Sequence, residues 1–212
     1  MKGGGVYLPC HGRESYGIPR KRIIQGGGTI MTKVINFIGG PGSGKSTFSY
    51  RLMAHFKIQG ISCEYTGEYA KEKVWDDHLK IFDNQLLVFA QQQHRLHRLL
   101  GKVEYIITDS PLVQFVYYLD EFTPEEKKGT ERFKAYNRLV WEEFNSFDNI
   151  NFLMQRPGGF SNEGRYQDSQ KANKIDSEMK EVLTSGGVPY SLLYCEKSSL
   201  EDVLAYISDH ET

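Results

Sequence analysis

The sequence predicts a single-domain α/β fold, with strands and helices alternating around a parallel sheet. Three observations predict it. Apolar runs of five or six residues, rich in β-branched and aromatic side chains, recur five times. Amphipathic stretches at helical spacing lie between them. A glycine-rich turn joins the first run to the first amphipathic stretch. The chain has 212 residues, and at roughly 150 residues per domain this length suggests about one domain.

Each element has its own signal. Residues 33–38, Lys33 to Ile38, form the first strand. The helix after the turn runs from Lys45 to about Lys57, with Phe48, Leu52 and Phe56 on one face. Residues 61–66 read as the second strand. Leu79 to about Leu100 reads as one long helix, with Phe82, Leu86, Phe89 and Ala90 on one side. Residues 103–108 form the third strand, and 112–119 and 131–144 read as helices. Thr123 and Pro124 ahead of two glutamates mark a helix start. Residues 150–154 are the fourth strand. Residues 156–170 are rich in Gly, Ser, Asn and Arg and read as a loop. A helix over 172–183, a fifth strand over 190–194, and a helix over 199–207 capped by Ser198 or Ser199 close the chain. No repeat or linker interrupts residues 31–212, which are expected to form one domain.

The first thirty residues differ from the rest. They contain eight glycines and no sustained period, so a poorly ordered tail is expected. Gln25, Gly26 and Gly27 shortly before Met31 also suit a translated ribosome-binding site. On that reading the functional chain starts at Met31 and has 182 residues. The nucleotide sequence decides between the two.

Composition narrows the function. No apolar run reaches the roughly 20 residues of a membrane helix, and Cys10, Cys63 and Cys195 have no metal-ligand spacing. A soluble protein of a reducing cytoplasm is expected. Lys2, Arg13, Arg20, Lys21 and Arg22 against Glu14 give residues 1–30 a net +4. The whole chain is at −1, so the remainder carries −5. A body this acidic has no global attraction for nucleic acid.

The turn after the first strand carries the chemistry. Gly39, Gly40, Pro41, Gly42, Ser43, Gly44, Lys45 and Ser46 satisfy G-x-x-x-x-G-K-[ST], between a strand and a helix as the motif requires. The glycines let backbone N–H groups face a phosphate, and the helix N-terminus adds partial positive charge. Lys45 bridges the terminal phosphates, Ser46 offers its hydroxyl to magnesium, and Thr47 joins the nucleotide-binding set. Mg-ATP binding follows as an expectation.

Three further places are candidates. Asp109 follows the third strand, at the sheet edge where ligands of open α/β sheets lie. It can hold magnesium or accept a proton, or it can cap the next helix. Glu68 follows the second strand and can act as general base or hold a sugar hydroxyl, or can favour a helix start. Glu64, inside the strand, reads as structural. Arg156 and Arg165 bracket a glycine-rich loop suited to a lid that stabilises charge on the transferring phosphoryl group, or form a solvated loop whose arginines pair with surface acids. The weaker signals are His94 and His97, whose i, i+3 spacing could hint at a metal pair but lacks a third ligand and reads more simply as a solvated helix face, and Arg95 and Arg98 beside them, which could touch a phosphate but read more simply as surface residues. Tyr65, Tyr69, Trp75, Phe115, Tyr117 and Tyr118 are candidates for a ring-stacking wall, each more simply a core residue.

With these residues in place, the chain from Met31 resembles the nucleoside- and nucleotide-kinase group of P-loop proteins. It is most similar to the ribosylnicotinamide-kinase-like ATPases, a family found in bacteriophages among other sources. The matching residues are Gly39 to Ser46, Glu68 to Glu72, Asp109, and Gly164 with Arg165. The resemblance implies a five-stranded parallel sheet ordered 2-3-1-4-5 and transfer of the ATP γ-phosphate to an alcohol. Thr108, Asp109, Ser110 and Pro111 depart from the acid-Arg-Ser pattern of many deoxynucleoside kinases. The base-reading Asn-Lys-x-Asp of guanine-binding switches is absent. The acceptor implied is a small nucleoside or nucleotide such as nicotinamide riboside. A phage kinase acting on hydroxymethylated bases in DNA and a non-kinase ATP-binding regulator are the alternatives.

Overall fold

The computed structural model describes residues 30–156, 169–195 and 197–210. Five strands form one sheet: β1 (Lys33–Ile38), β2 (Cys63–Thr66), β3 (Tyr105–Thr108), β4 (Asp148–Gln155) and β5 (Ser191–Tyr194). Their order is β2-β3-β1-β4-β5, and every pairing is parallel. This is the order that the resemblance implied. Seven α-helices connect or flank the strands: α1 (Lys45–Ile58), α2 (Tyr69–Trp75), α3 (Gln85–His97), α4 (Gln114–Phe122), α5 (Glu131–Asn145), α6 (Ser169–Ser185) and α7 (Leu200–Asp209).

A parallel sheet needs apolar cover on both faces, and β1 shows how the sequence provides it. Val34 and Ile38 point to one face and join Val88, Phe89 and Leu96 of α3, Val140 and Phe144 of α5, and Met179 and Leu183 of α6. Ile35 and Phe37 point to the other and meet Phe48, Leu52 and Phe56 of α1, with Val203, Leu204 and Ile207 of α7. Asn36 sits on the first face as a buried polar residue in the central strand. Its amide donates to Asn149 Oδ1 at 2.8 Å and to Asn151 Oδ1 at 2.9 Å. Asn151 in turn donates to the Pro189 carbonyl at 3.1 Å. Side-chain amides satisfied in this way escape the cost of burial without a partner.

The expectations differ from the structure at a few elements. The long helix over 79–100 is broken: a 3-10 turn spans Leu79–Asp83, and α3 begins only at Gln85. The reason is Asn84, whose side chain accepts the Leu87 N–H at 3.2 Å and caps α3. The break shifts the buried stripe to Val88, Phe89, Gln92 and Leu96 and leaves Leu86 and Ala90 exposed. Helix α2 has no counterpart among the expected elements; it is seven residues long and buries none of them, so it has no apolar stripe to read. Helix α4 starts at Gln114, later than expected, after a turn in which Gln114 N–H donates to the Pro111 carbonyl. The start expected at Thr123 is a single 3-10 turn, Glu125–Lys127. Ser199 caps α7 in a reciprocal capping box with Asp202.

Candidate functional site

The parallel sheet brings five chain segments to one edge. The loop after β1, Glu68 after β2, Asp109 after β3, Arg156 after β4 and Cys195 after β5 all follow strand C-termini.

Residues 39–44 lead from β1 into α1. Gly44, at the helix N-cap, has φ +93°, and a Cβ there would collide with Cys195 Sγ. Only glycine meets both conditions without strain. Gly40 is hemmed in as well, since a Cβ would lie 2.7 Å from Asp176 Oδ1 and 2.9 Å from Arg156 Nη2. Its N–H donates to Asp176 Oδ1 at 2.7 Å. Arg156 Nη2 donates to the Pro41 carbonyl at 2.7 Å, and its Nε lies 3.3 Å from Asp176 Oδ2. Asp176 of α6 and Arg156 of the β4 exit thus clamp the first half of the loop. Pro41 and Gly42 form its exposed crest, Ser43 is buried, and Thr47 is exposed on the first turn of α1.

Lys45 Nζ donates to the carbonyls of Gly39 and Gly40, both at 2.8 Å. Burial lowers its pKa below the ordinary lysine value, against the opposing pull of Glu68, Asp109 and Asp176. Ser46 Oγ donates to Asp109 Oδ2 at 2.5 Å. Asp109 is 4% exposed, and its other oxygen, Oδ1, is buried without a hydrogen-bond partner. It is not a helix cap, because the N-cap position of α4 is Val113. A hydroxyl and a carboxylate with a spare oxygen form a hard oxygen donor set, which fits magnesium.

The β2 and β3 exits are tied together. Thr108 Oγ1 donates to the Thr66 carbonyl at 3.0 Å and accepts the Ser110 N–H at 3.1 Å. Buried Gln92 of α3 accepts the Tyr69 N–H at 2.9 Å and donates to the Gly67 carbonyl at 3.3 Å. Glu68 stands between those two bonds. Burial raises its pKa, partly offset by the Lys45 charge, with Asp109 pushing the same way as burial. It occupies the N-cap position of α2 without making a side-chain cap bond. Glu64 instead pairs with Lys57 at 2.8 Å.

A cavity of about 460 Å³ opens beside these groups. Asp109, Glu68, Thr66 and Gly67 line its inner end, and Tyr50, Tyr65, Lys71, Glu72, Trp75, Arg95 and Arg98 complete it. Burial, then the Asp109 carboxylate, raises the Tyr65 hydroxyl pKa, so this phenol stays protonated.

The structure brings together Lys45, Ser46, Glu68, Asp109 and Arg156; Arg165 lies outside the described residues. Of the aromatic candidates, Tyr65 and Trp75 line the cavity, while Phe115 and Tyr117 belong to the core. Arg95 and Arg98, for which a surface role was preferred over a phosphate contact, line the cavity. Their spacing of three residues was the available signal, but nothing local said what the face met. His97 contacts Glu143 and Gln93, both at 3.2 Å. Asp176 had no sequence signal, since its contact with Gly40 spans 136 residues.

Comparison with known proteins agrees with this architecture. The AAA domain family matches residues 34–202. No curated protein matches the chain. Among solved structures, NadR protein in complex with NR superposes with a TM-score of 0.62 at 16% identity, over 85% of this chain and 52% of that one. NadR protein in complex with NAD and AMP-PNP gives 0.57 at 15% identity, over 85% and 49%. The chain therefore spans about half the length of the NadR structures. Thymidylate kinase from Ehrlichia chaffeensis gives 0.56 at 15% identity, over 85% and 99%. At these identities the likeness concerns the fold. With the family match covering all five strands, the chain belongs to the AAA domain family and has the fold of P-loop nucleotide kinases.

Proposed function

We propose that this protein is a Mg-ATP-dependent kinase that transfers the γ-phosphate to a hydroxyl of a small nucleoside or nucleotide. The observation that carries this reading is a shared cavity wall: Asp109, which accepts a hydrogen bond from Ser46 of the P-loop, and Glu68 line the same cavity. A motor or switch needs no second pocket there, whereas a kinase needs one for its acceptor. The NadR and thymidylate kinase folds support the reading by analogy.

In this reading Gly39 to Gly44 wrap the ATP phosphates with backbone N–H groups, and Lys45 moves from the Gly39 and Gly40 carbonyls to the terminal phosphate oxygens. Ser46 and Asp109 hold magnesium, which when bound neutralises charge on the β- and γ-phosphates. Glu68 receives the proton that the acceptor hydroxyl loses as its oxygen bonds to the γ-phosphorus; the bond to the bridging oxygen breaks, and ADP leaves. The raised pKa of Glu68 suits a base that must take a proton from an alcohol. Arg156, and Arg165 beyond it in sequence, supply positive charge for the transferring group.

The test is transfer from γ-labelled ATP to a nucleoside and nucleotide panel that includes nicotinamide riboside, plus hydroxymethyluracil-containing DNA. Label on one small acceptor, abolished by Lys45→Ala, is the expected result. Label on DNA alone would replace the substrate. ATP binding with no acceptor labelled would overturn the kinase reading in favour of a regulatory ATP-binding protein.

A further inference from the structure

The outer half of the cavity differs in character from its P-loop end. Lys71, Arg95 and Arg98 line the cavity together with three carboxylates, Glu72, Glu68 and Asp109, of which Asp109 is buried. Lys71 and Arg98 make no ion pair among the described residues. Arg95 is held in place: both Glu72 carboxylate oxygens accept from it, and its guanidinium lies 5.2 Å above the Tyr69 ring. Arg95 in the last turn of α3 and Arg98 at its C-cap stand three residues apart in helical geometry and therefore side by side. With Arg95 matched by Glu72, Lys71 and Arg98 remain as two cations without an ion pair among the described residues and form a local positive pole, in a chain body that carries −5 from residue 31 onward. Solvated faces of an acidic protein have no reason to gather such a pole around a concavity. Two large aromatics flank it in water, Trp75 at 78% and Tyr50 at 57% exposure, and the Tyr50 ring lies 5.0 Å from that of Tyr65. Rings left exposed at a cavity rim suit a planar ligand.

The two ends thus ask for different things of one molecule. The inner end, with Glu68 and Asp109, repels an anion and accepts a proton. The outer end attracts an anion and offers fork-shaped donors matched to phosphate. We propose that Lys71, Arg95 and Arg98 bind a phosphate carried by the acceptor, so that the acceptor is a nucleotide that already bears one phosphate, not a bare nucleoside. This rests on the reading of the cavity as the acceptor site, and it narrows that reading.

The experiment reads binding without turnover. Trp75 is one of two tryptophans, and Trp141→Phe leaves it as the sole tryptophan, read by selective tryptophan excitation. With the P-loop saturated by Mg-AMP-PNP, the full chain is titrated with thymidine, cytidine and nicotinamide riboside, with the 5′-monophosphate of each, with inorganic phosphate and with a 5′-phosphorylated dinucleotide. The expected result is a Trp75 signal with a monophosphate Kd about tenfold below that of its nucleoside, as a charge-assisted pair should give. Arg98→Gln should bring that ratio close to one, and added salt should shrink it. A dinucleotide as tight as the mononucleotide supports the subsite and places the phosphate on a chain end. Equal affinity for nucleoside and monophosphate overturns the proposal, as does an Arg98→Gln loss shared equally by both, or binding of neither. Monophosphate-selective binding without phosphoryl transfer in the labelled assay would overturn the kinase reading and leave the phosphate subsite standing.

Discussion

Asp109 and Glu68 are two carboxylates a few side chains apart with different tasks, and their surroundings assign them. Asp109 takes the Ser46 hydroxyl on one oxygen and keeps the other buried without a partner, an arrangement suited to a cation. Asp109→Asn keeps the shape and removes the charge, and should cut kcat by at least about 100-fold while leaving the melting temperature near that of the parent; steady-state kinetics and a thermal melt check both. Glu68 is raised by burial, and Lys45 is lowered by burial. The reaction needs Glu68 ionised and Lys45 charged. Activity therefore falls as pH drops through the Glu68 pKa and again as pH rises through that of Lys45. The profile of kcat/KM, which reports the free enzyme, should be a bell. Its acid limb should lie above the ordinary glutamate 4.5 and its alkaline limb below the ordinary lysine 10.5. Glu68→Gln should erase the acid limb; a limb that survives the substitution assigns the base elsewhere.

At the scale of elements, Asn84 decides where α3 begins and so where Arg95 and Arg98 point. Its side chain accepts the Leu87 N–H, and α3 also anchors the β2 exit through Gln92. Asn84→Ala should cost about 1 kcal/mol of stability, which for a chain of this size lowers Tm by roughly 2–4 °C. A differential melt against the parent measures this, and an unchanged Tm would show that the cap bond contributes nothing. The same element marks the limit of what the sequence made legible. Strands were readable because short runs rich in apolar and β-branched residues recur between helical stretches, and the P-loop because its spacing is strict. Asn84 inside an otherwise helical pattern was invisible, since its side chain competes with the backbone only in the local geometry it creates. Lys45, Ser46 and the loop were named from their motif, and Glu68 and Asp109 from their places at strand ends. Arg95 and Arg98 were weighed as phosphate contacts but ranked below a surface role, and Asp176 and Lys71 were not named, because the fold alone brings α3 and α6 to the sheet edge.

At the scale of the molecule, we propose that residues from Met31 onward suffice for the fold. Thr32 Oγ1 donates to the Val103 carbonyl at 2.6 Å and accepts the Gly101 N–H at 2.9 Å, fixing the chain where it enters the central strand. Met31 is 82% exposed, and the family match begins at residue 34. A chain started at Met31 should therefore melt within about 2 °C of the full chain, less than the effect of about 1 kcal/mol. It should also bind Mg-ATP with the same Kd within about twofold, or about 0.4 kcal/mol. Side-by-side melts and nucleotide titrations of the two chains provide the comparison. Its net charge, however, moves from −1 to −5, so any weak affinity of the full chain for polyanions should disappear in the shorter one while the selectivity at Arg98 persists. A larger loss of stability or of ATP affinity would show that residues 1–30 take part in the fold or the site, and the single domain would then have to be drawn from the first residue.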